Sequence, residues 1–560
     1  MHAMSPLQNE RSTLEPAPSG GGLIESWIEE HFELAALAVV ALGLALRIRA
    51  AHGTFLNPDE ALHYFIANRP SWALMYRASL TMAHPPLLFF FLYLWRHVGT
   101  SEFVLRFPSV LTCTAFCWVF FRWMIDMFGR APAFISLILV TLLPPMVALS
   151  AEVRQYELLL LFAVSSAYFL ERALARKSAS FMLLSFVCLY LAMLSHYSGF
   201  LFAAAIGIYS LLRVLHRGTT ASLRITWIAG ELGAFGLGVA LYVTHIAHIK
   251  NTRMAEGAFD TWLHKSYLHT GENPLLFVMV RSFSVFQYLF GQRLIGDLVG
   301  LFFIAGIVLL LCGKVSLPKS GLTIRQAAVL LIVPFAINCA AALVDAYPYG
   351  GTRHSVFLAI FAIAGVALCL AKVTQERLMR GIAVATVIVL LCWAFPSIFH
   401  PYIAAADQSR VKMQKAIAFV RGKILASDPI FVDYESGLLF GHYLCEQRPI
   451  SYDDSLPGFL AFQCAGHRII STNHDLWFFT PQSFMSQWRD LMRSGQFKPG
   501  DAVWVGQAGF NVTLDDDLRR EFSDFHDLQT QAFGKNIRLF EMTVGRPTPN
   551  PTPPIQAPGR

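Results

Sequence analysis

Apolar runs close to the length that crosses a hydrocarbon layer, about 20 residues, recur from Phe32 to about Pro396 and then stop. A soluble fold has no use for so many of them, because each is too long and too free of charge to leave one face in water. The balance of the chain agrees: 55% of the 560 residues are apolar and 14% charged, too little polar surface to clothe a globule of this size. The expected class is an α-helical polytopic membrane protein over 32–396. A soluble α/β domain follows over 397–545, where the composition becomes ordinary. The ends, Met1–Gly22 and Arg546–Arg560, are rich in Pro, Gly, Ser and Thr and are expected to be disordered. The region before the first apolar run, 1–31, reads as a cytoplasmic tail. It has no basic stretch leading into a short apolar segment and a small-residue cleavage site, so the first run is expected to stay as a span.

Orientation follows from Lys and Arg, which collect in cytoplasmic loops. The clusters are Arg122 to Arg130, Arg172/Arg176/Lys177, Arg213/Arg217/Arg224, Lys314/Lys319/Arg325 and Lys372/Arg377/Arg380. The run from Pro85 to Val98 decides the alternation. About 13 helical residues rise only about 20 Å against a core of about 30 Å, so it reads as a partly embedded helix in a long outer loop, 51–102. All five clusters then fall inside. About eleven spans result, near 32–50, 103–125, 131–150, 157–173, 180–196, 199–215, 225–248, 297–313, 326–344, 354–371 and 380–396, with a second outer loop at 249–296. The soluble domain faces outward. Arg47 and Arg49, at the outer end of the first span, stand against this scheme and are outvoted by the later clusters.

The net charge of +7 records the inner loops and requires no nucleic-acid partner. There is no P-loop, no dinucleotide fingerprint between a strand and a helix, no zinc-type Cys/His spacing and no nucleophile elbow. Seven of the nine cysteines lie in or beside apolar segments; Cys445 and Cys464 alone lie in the soluble region. An oxidising outer compartment would let these two pair, with two free thiols the equal alternative.

Chemistry is therefore sought in polar residues at the membrane boundary, and on this topology they gather on one side. Asn57-Pro58-Asp59-Glu60 follows the first span, Glu152, Arg154 and Tyr156 the third, His196 and Tyr197 the fifth, and Asp345, Tyr347, Tyr349, Arg353 and His354 the ninth. Singly, each is an ordinary solvated span end. Together they point to a wet cavity, because ionisable groups at membrane depth cost roughly 2.5–3.5 kcal/mol each. Pro58 suits the first turn of a helix, where acids interact well with the dipole; in that helix Asp59 and His63 share one face and Glu60 and Tyr64 another. A carboxylate here suits removal of a proton from an attacking hydroxyl. Arg353, after the aromatic, flexible Tyr347–Thr352 loop, suits a departing phosphate.

These residues, in this order, resemble glycosyltransferase family 39 and its relatives, the protein O-mannosyltransferase and aminoarabinose transferase group. The resemblance lies in Asp59-Glu60, His84-Pro85-Pro86-Leu87, Glu102 with Leu105-Arg106-Phe107-Pro108-Ser109, Arg154 with Tyr156, His196-Tyr197 and Arg353-His354. It covers most of the membrane region. It implies a GT-C fold and inverting transfer of a sugar from a polyprenyl-phosphate donor, on the periplasmic or lumenal side, to a glycan, lipid or protein acceptor. A bacterial inner membrane is the expected location. Asp59 falls at the base and Glu60 at its acidic partner; Arg353, His84 and His354 fall near the donor phosphate; Glu152, Arg154, Tyr156, His196, Tyr197 and Tyr349 line the cavity. His354 stands where many members have an aromatic residue. Members differ in metal dependence, and no ligand set here singles out a divalent metal.

In the soluble region, Lys415–Val420 and Gly437–Leu444 read as helices, and Pro429–Asp433, Asp501–Val505 and Ile537–Val544 as strands, a small α/β module. Asp433 and Glu435, at a strand end, read as turn formers. A transporter or lipid flippase is the rival reading, but its acids should lie mid-span, where this sequence is nearly free of charge.

Overall fold

The computed structural model describes residues 26–215, 219–249, 262–318, 321–395, 409–445, 450, 452–453 and 456–545. The tails expected to be disordered lie outside the described residues, apart from residues 26–31. The first long helix is α1 (Phe32–Gly53). The loop after it carries α2 (Pro58–Ala67), α3 (Trp72–Ser79) and α4 (Leu87–Trp95). At 9 residues α4 is too short to cross, as its apolar length requires. The bundle continues with α5 (Glu102–Phe128), α6 (Arg130–Leu142), α7 (Pro144–Leu149), α8 (Tyr156–Arg176), α9 (Ala179–Ser195), α10 (Ser198–Val214) and α11 (Ala221–Leu241). It closes with α12 (Pro274–Phe290), α13 (Arg293–Leu311), α14 (Ile324–Leu343), α15 (Ala359–Val373) and α16 (Leu378–Ala394).

Among the described residues, 7 helices are long and apolar enough to cross a membrane and five more are apolar but shorter. The expected spans coincide with all of the long ones and with four of the short ones. The fifth short helix, α12, lies in what reads from sequence as an outer loop. It runs back along α13 so closely that a Cβ on Gly296 would stand 2.3 Å from the Gln287 Cα. The Ser266 carbonyl, before α12, accepts from Tyr349 N at 3.0 Å, and Ser284 Oγ, within it, accepts from Gly351 N at 2.9 Å. Both are tied to the loop after α14, so α12 stays at that end of the bundle.

The described members of the basic clusters gather at the opposite end. Arg172 pairs with Asp126 at 2.9 Å. Arg213 donates to Glu171 at 2.7 Å and to the Gly321 carbonyl at 2.8 Å. Arg130, Leu317 and Lys372 line one cavity of about 580 Å³. Arg47, which the loop pattern placed at an outer boundary, is instead fully buried. Its position has a local cause. Pro144 and Pro145 have no N–H to offer the carbonyls of Val140 and Thr141 one turn earlier, so the expected single span breaks into α6 and α7. The Arg47 guanidinium donates to both freed carbonyls, at 3.5 and 2.8 Å. Gly43 leaves room for this, since a Cβ there would stand 2.8 Å from the guanidinium nitrogen.

The C-terminal region holds α17 (Arg410–Lys423), α18 (Tyr434–Leu444), α19 (Pro481–Arg493) and α20 (Leu514–Glu521). Its strands are β1 (Ile430–Val432), β2 (Phe459–Cys464), β3 (His467–Thr472), β4 (Ala502–Ala508), β5 (Thr530–Ala532) and β6 (Ile537–Thr543). They form one sheet in the order β2-β3-β1-β4-β6-β5, parallel across β3-β1-β4 and antiparallel at both edges. The β2–β3 hairpin, β5, α19 and α20 have no counterpart in the sequence pattern. Cys445, after α18, and Cys464, ending β2, are joined as a disulfide with Cα atoms 4.8 Å apart.

This domain packs on the loop helices: Phe55, Leu56, Tyr64, Phe89 and Leu92 share one hydrophobic core with Met413, Leu439, Phe440 and Leu539. Tyr443 pins the junction, its hydroxyl accepting from Leu56 N at 2.8 Å and donating to Glu102 at 3.1 Å. Replacing Arg47 by Met should leave two buried carbonyls unpaired at a cost of about 1.5–3 kcal/mol, read as a lower unfolding temperature in detergent. An unchanged melting curve would show that those carbonyls find other partners.

Candidate active site

The site is organised by the start of α2. Asn57 caps the helix: its side chain accepts from Glu60 N at 3.0 Å, and Glu60 Oε2 accepts in return from Asn57 N at 2.8 Å, a capping box with Pro58 in the first turn. Arg106 of α5 then meets the Glu60 carboxylate with a two-pronged fork, Nε to Oε1 at 2.7 Å and Nη2 to Oε2 at 2.6 Å. The same guanidinium donates to the carbonyls of Ala51, Thr54 and Phe55, and Val153 N donates to Glu60 Oε1 at 2.8 Å. Glu60 is fully buried with both oxygens occupied. It clamps α1, α2, α5 and the loop before α8 together, and in this it differs from the acidic catalytic partner that the family resemblance implies.

Asp59 faces the other way, and its side chain keeps 19% of its surface accessible. It is ion-paired with Arg154 and accepts from Arg353 Nη2 at 3.1 Å. Burial by itself would raise the Asp59 carboxyl, but the guanidinium groups of Arg154 and Arg353 outweigh it and hold the group at about 2. Glu152 lies 3.8 Å from Arg154. There burial dominates and Glu60 and Asp59 add repulsion, so despite Arg154 its carboxyl rises to about 7.

Around this carboxylate stands a row of imidazoles. His63, one turn after Asp59, bonds through Nδ1 to the Asp59 carbonyl oxygen. Its ring lies 5.8 Å from that of His84, which lies 5.6 Å from His196, which lies 5.9 Å from His354. Tyr156 lies 4.9 Å from His196. The residues read from sequence as Asp59, His84, Glu152, Arg154, Tyr156, His196, Arg353 and His354 are thus brought together, from five separate stretches of chain.

Two aromatic expectations come out differently. Tyr197 turns to His245, whose other ring nitrogen bonds the Ser79 carbonyl oxygen. Tyr349 is buried against α12, its hydroxyl 2.7 Å from Ser282. Tyr347 is the tyrosine of that loop that reaches the row, its hydroxyl 3.5 Å from His196 Nδ1. An i, i+2 pair in a loop gives no sequence signal for which member faces inward. Among the described residues, no group of three or more His, Cys, Asp or Glu side chains is arranged to hold a metal ion.

The soluble domain reaches the same helix. Asp433 caps α18, accepting from Ser436 N at 3.0 Å, a turn-forming role. Glu435 does more: its Oε1 accepts from Phe510 N at 3.1 Å and Asn511 N at 2.9 Å. Those residues hold Gly509, with φ +133, so close to the membrane region that a Cβ there would stand 2.7 Å from the Pro58 ring.

Residues 83–243 match the family model for dolichyl-phosphate-mannose-protein mannosyltransferase. The chain is a membrane glycosyltransferase. The matched stretch takes in His84, Arg106, Glu152, Arg154, Tyr156 and His196 of this glycosyltransferase; Asp59, Glu60 and Arg353 lie outside it. Among solved structures the glycosyltransferase is similar to ArnT from Cupriavidus metallidurans bound to undecaprenyl phosphate, at 12% identity over 95% of this chain and 100% of that one, with a TM-score of 0.48. It is also similar to the Archaeoglobus fulgidus oligosaccharyltransferase tethered with an acceptor peptide, at 11% identity over 88% of this chain and 70% of that one, TM-score 0.48. The archaeal oligosaccharyltransferase AglB from Archaeoglobus fulgidus, in complex with an inhibitory peptide and a dolichol-phosphate, matches at 12% identity over 86% and 70%, TM-score 0.44. No curated protein sequence matches.

Removing one partner of the Glu60–Arg106 pair strands a buried charge, so Glu60→Ala should cost about 3–5 kcal/mol and fail to yield a stably folded protein in detergent. A Glu60→Ala protein that melts like the wild type would show the clamp to be dispensable. A pH effect should arise at Glu435. Burial, then Asp433, raises its carboxyl to about 9 from an ordinary 4.5. The folded state keeps a proton that the unfolded state gives up above about 4.5, so this contribution to stability is full below that pH and is lost as pH rises through about 9. Asp433, raised to about 6 by burial, has the same sign. Melting temperature should therefore fall more gently between pH 5.5 and 8.5 in Glu435→Gln, which mimics the neutral carboxyl, than in wild type; equal slopes would remove Glu435 as the cause.

Proposed function

We propose that this glycosyltransferase moves a sugar from a polyprenyl-phosphate carrier to the hydroxyl of a glycan, lipid or protein acceptor, with inversion. Asp59 acts as general base. The observation that carries the reading is the Asp59 carboxylate held between Arg154 and Arg353 at the end of the bundle opposite the basic loops. By the positive-inside rule the basic end is cytoplasmic, so the site faces outward, in a bacterial inner membrane toward the periplasm. The matching family's name supplies the donor class, a sugar on a lipid phosphate.

The chemistry follows from the same contacts. The acceptor hydroxyl gives its proton to Asp59 as its oxygen bonds the anomeric carbon. The bond from that carbon to the phosphate oxygen breaks on the far side, with inversion, and the lipid phosphate leaves with the electron pair. Guanidinium groups suit that anion. Arg353 is the accessible one, with 27% of its side chain exposed against 2% for Arg154.

A carboxylate held at about 2 is a weak base while both cations rest on it. A donor phosphate that draws Arg353 away restores its basicity, which orders the reaction with donor first. Glu152, near 7, is placed to share the released proton charge beside Arg154.

The test is sugar transfer in membranes supplied with labelled polyprenyl-phosphate sugars. Asp59→Asn, the same shape without basicity, should lower the rate by about 10²–10⁴-fold at unchanged melting temperature. A folded Asp59→Asn protein with wild-type activity would remove Asp59 from this role.

A further inference from the structure

Several buried polar atoms around Asp59 have no partner among the described residues: His63 Nε2, His84 Nδ1, His354 Nδ1 and the Tyr156 hydroxyl. Each such atom is destabilising if nothing meets it, and native interiors keep few. Here they belong to one continuous row of rings, His63 to His84 to His196 to His354 with Tyr156 on His196. Packing holds the row in place. His63 is stacked on Phe89 at 5.4 Å, and His196 Nδ1 is bonded to Ser198 Oγ at 2.8 Å. The rings come from α2, the loop before α4, the end of α9 and the short 3-10 helix Arg353–Leu358, and they converge beside the carboxylate.

We propose that His63, His84, His196 and His354, with Tyr156, form the subsite that holds the hydroxyls of an uncharged sugar on the donor, leaving the phosphate to Arg353 and Arg154. This rests on the donor reading above and assigns His84 and His354 to the sugar, where the family resemblance implied the phosphate.

The chemistry of the row is what selects the ligand. A neutral imidazole offers one donor and one acceptor, and a phenol offers both, which is the valence of a sugar hydroxyl. Burial keeps His63 down at about 3 and His84 well below its ordinary value, so these rings present no charge at neutral pH. A uronic acid would find its natural partners in the two arginines, in competition with the phosphate. An aminosugar would need a carboxylate to itself, whereas Asp59 is ion-paired with Arg154 even when the donor phosphate takes Arg353, and Glu152 lies 3.8 Å from the same Arg154 guanidinium.

The experiment uses the full-length protein in membranes and a set of polyprenyl-phosphate donors: a neutral hexose, the same hexose lacking one hydroxyl at a time, an aminopentose and a uronic acid. It compares wild type with His84→Phe, His196→Phe and His354→Phe, which keep a ring and remove the nitrogens; only variants that melt like wild type are scored. The wild type should transfer the hexose best and lose at least about tenfold for a deoxy donor whose hydroxyl the row binds. In a given variant the parent hexose should lose a similar factor, while the donor lacking the matching hydroxyl loses nothing more.

Equal losses for parent and deoxy donors in every variant would overturn the subsite and leave the histidines as packing, or as holders of water, with the transfer reaction intact. Preference for the aminopentose or the uronic acid would overturn the uncharged sugar. A wild type that transfers none of the lipid-linked sugars would instead bring down the donor reading, and the subsite with it.

Discussion

The buried pair of Glu60 and Arg106 holds the site together. It is made inside the protein, where an unpaired partner would be strongly destabilising, and every hydrogen-bonding position on the carboxylate is used by Arg106, by the helix cap at Asn57 or by Val153 N. Because Arg106 also gathers the carbonyls that end α1, one interaction sets how α2 leaves the first span. Successive residues on a helix point about 100° apart. Locking Glu60 inward therefore turns Asp59 outward, toward Arg154 and Arg353.

The same helix is gripped from above by the soluble domain. The boundary near residue 397 is clear in composition but is not a boundary in packing, since the core that contains Phe55, Tyr64 and Phe89 continues into Leu439 and Phe440. Tyr443 bridges Leu56 and Glu102, and Glu435 steadies the loop that presses Gly509 on Pro58. The helix that carries Asp59 lies between two bodies, so the soluble domain is part of what positions that side chain.

The sequence was most legible where a local property adds up along the chain. Hydropathy over a helix length marks the spans, and the 14-residue Pro85–Val98 segment declares itself too short by the same arithmetic. The Asn57-Pro58-Asp59-Glu60 cap is legible because all its partners are within one turn. Arg47 was misread for the opposite reason: its partners, the carbonyls of Val140 and Thr141, lie more than ninety positions away and are exposed by two prolines that hydropathy counts only as apolar. Helix α12 was hidden by alternation, since a helix that stays at one end of the bundle does not change the side on which later loops fall.

What the sequence by itself determined is the layering of this glycosyltransferase: which segments need lipid, which end is basic, and that acids and arginines cluster at the other end. These follow from residue-by-residue transfer energies and local capping. Only the tertiary structure decided that Asp59 meets Arg154 and Arg353 while Glu60 is locked on Arg106, that Tyr347 and not Tyr349 reaches the cavity, and that four histidines spread over some three hundred positions stand in one row. Such choices depend on the direction of a side chain, and that direction is set by partners distant in the chain. Composition and spacing are blind to them until the chain has folded.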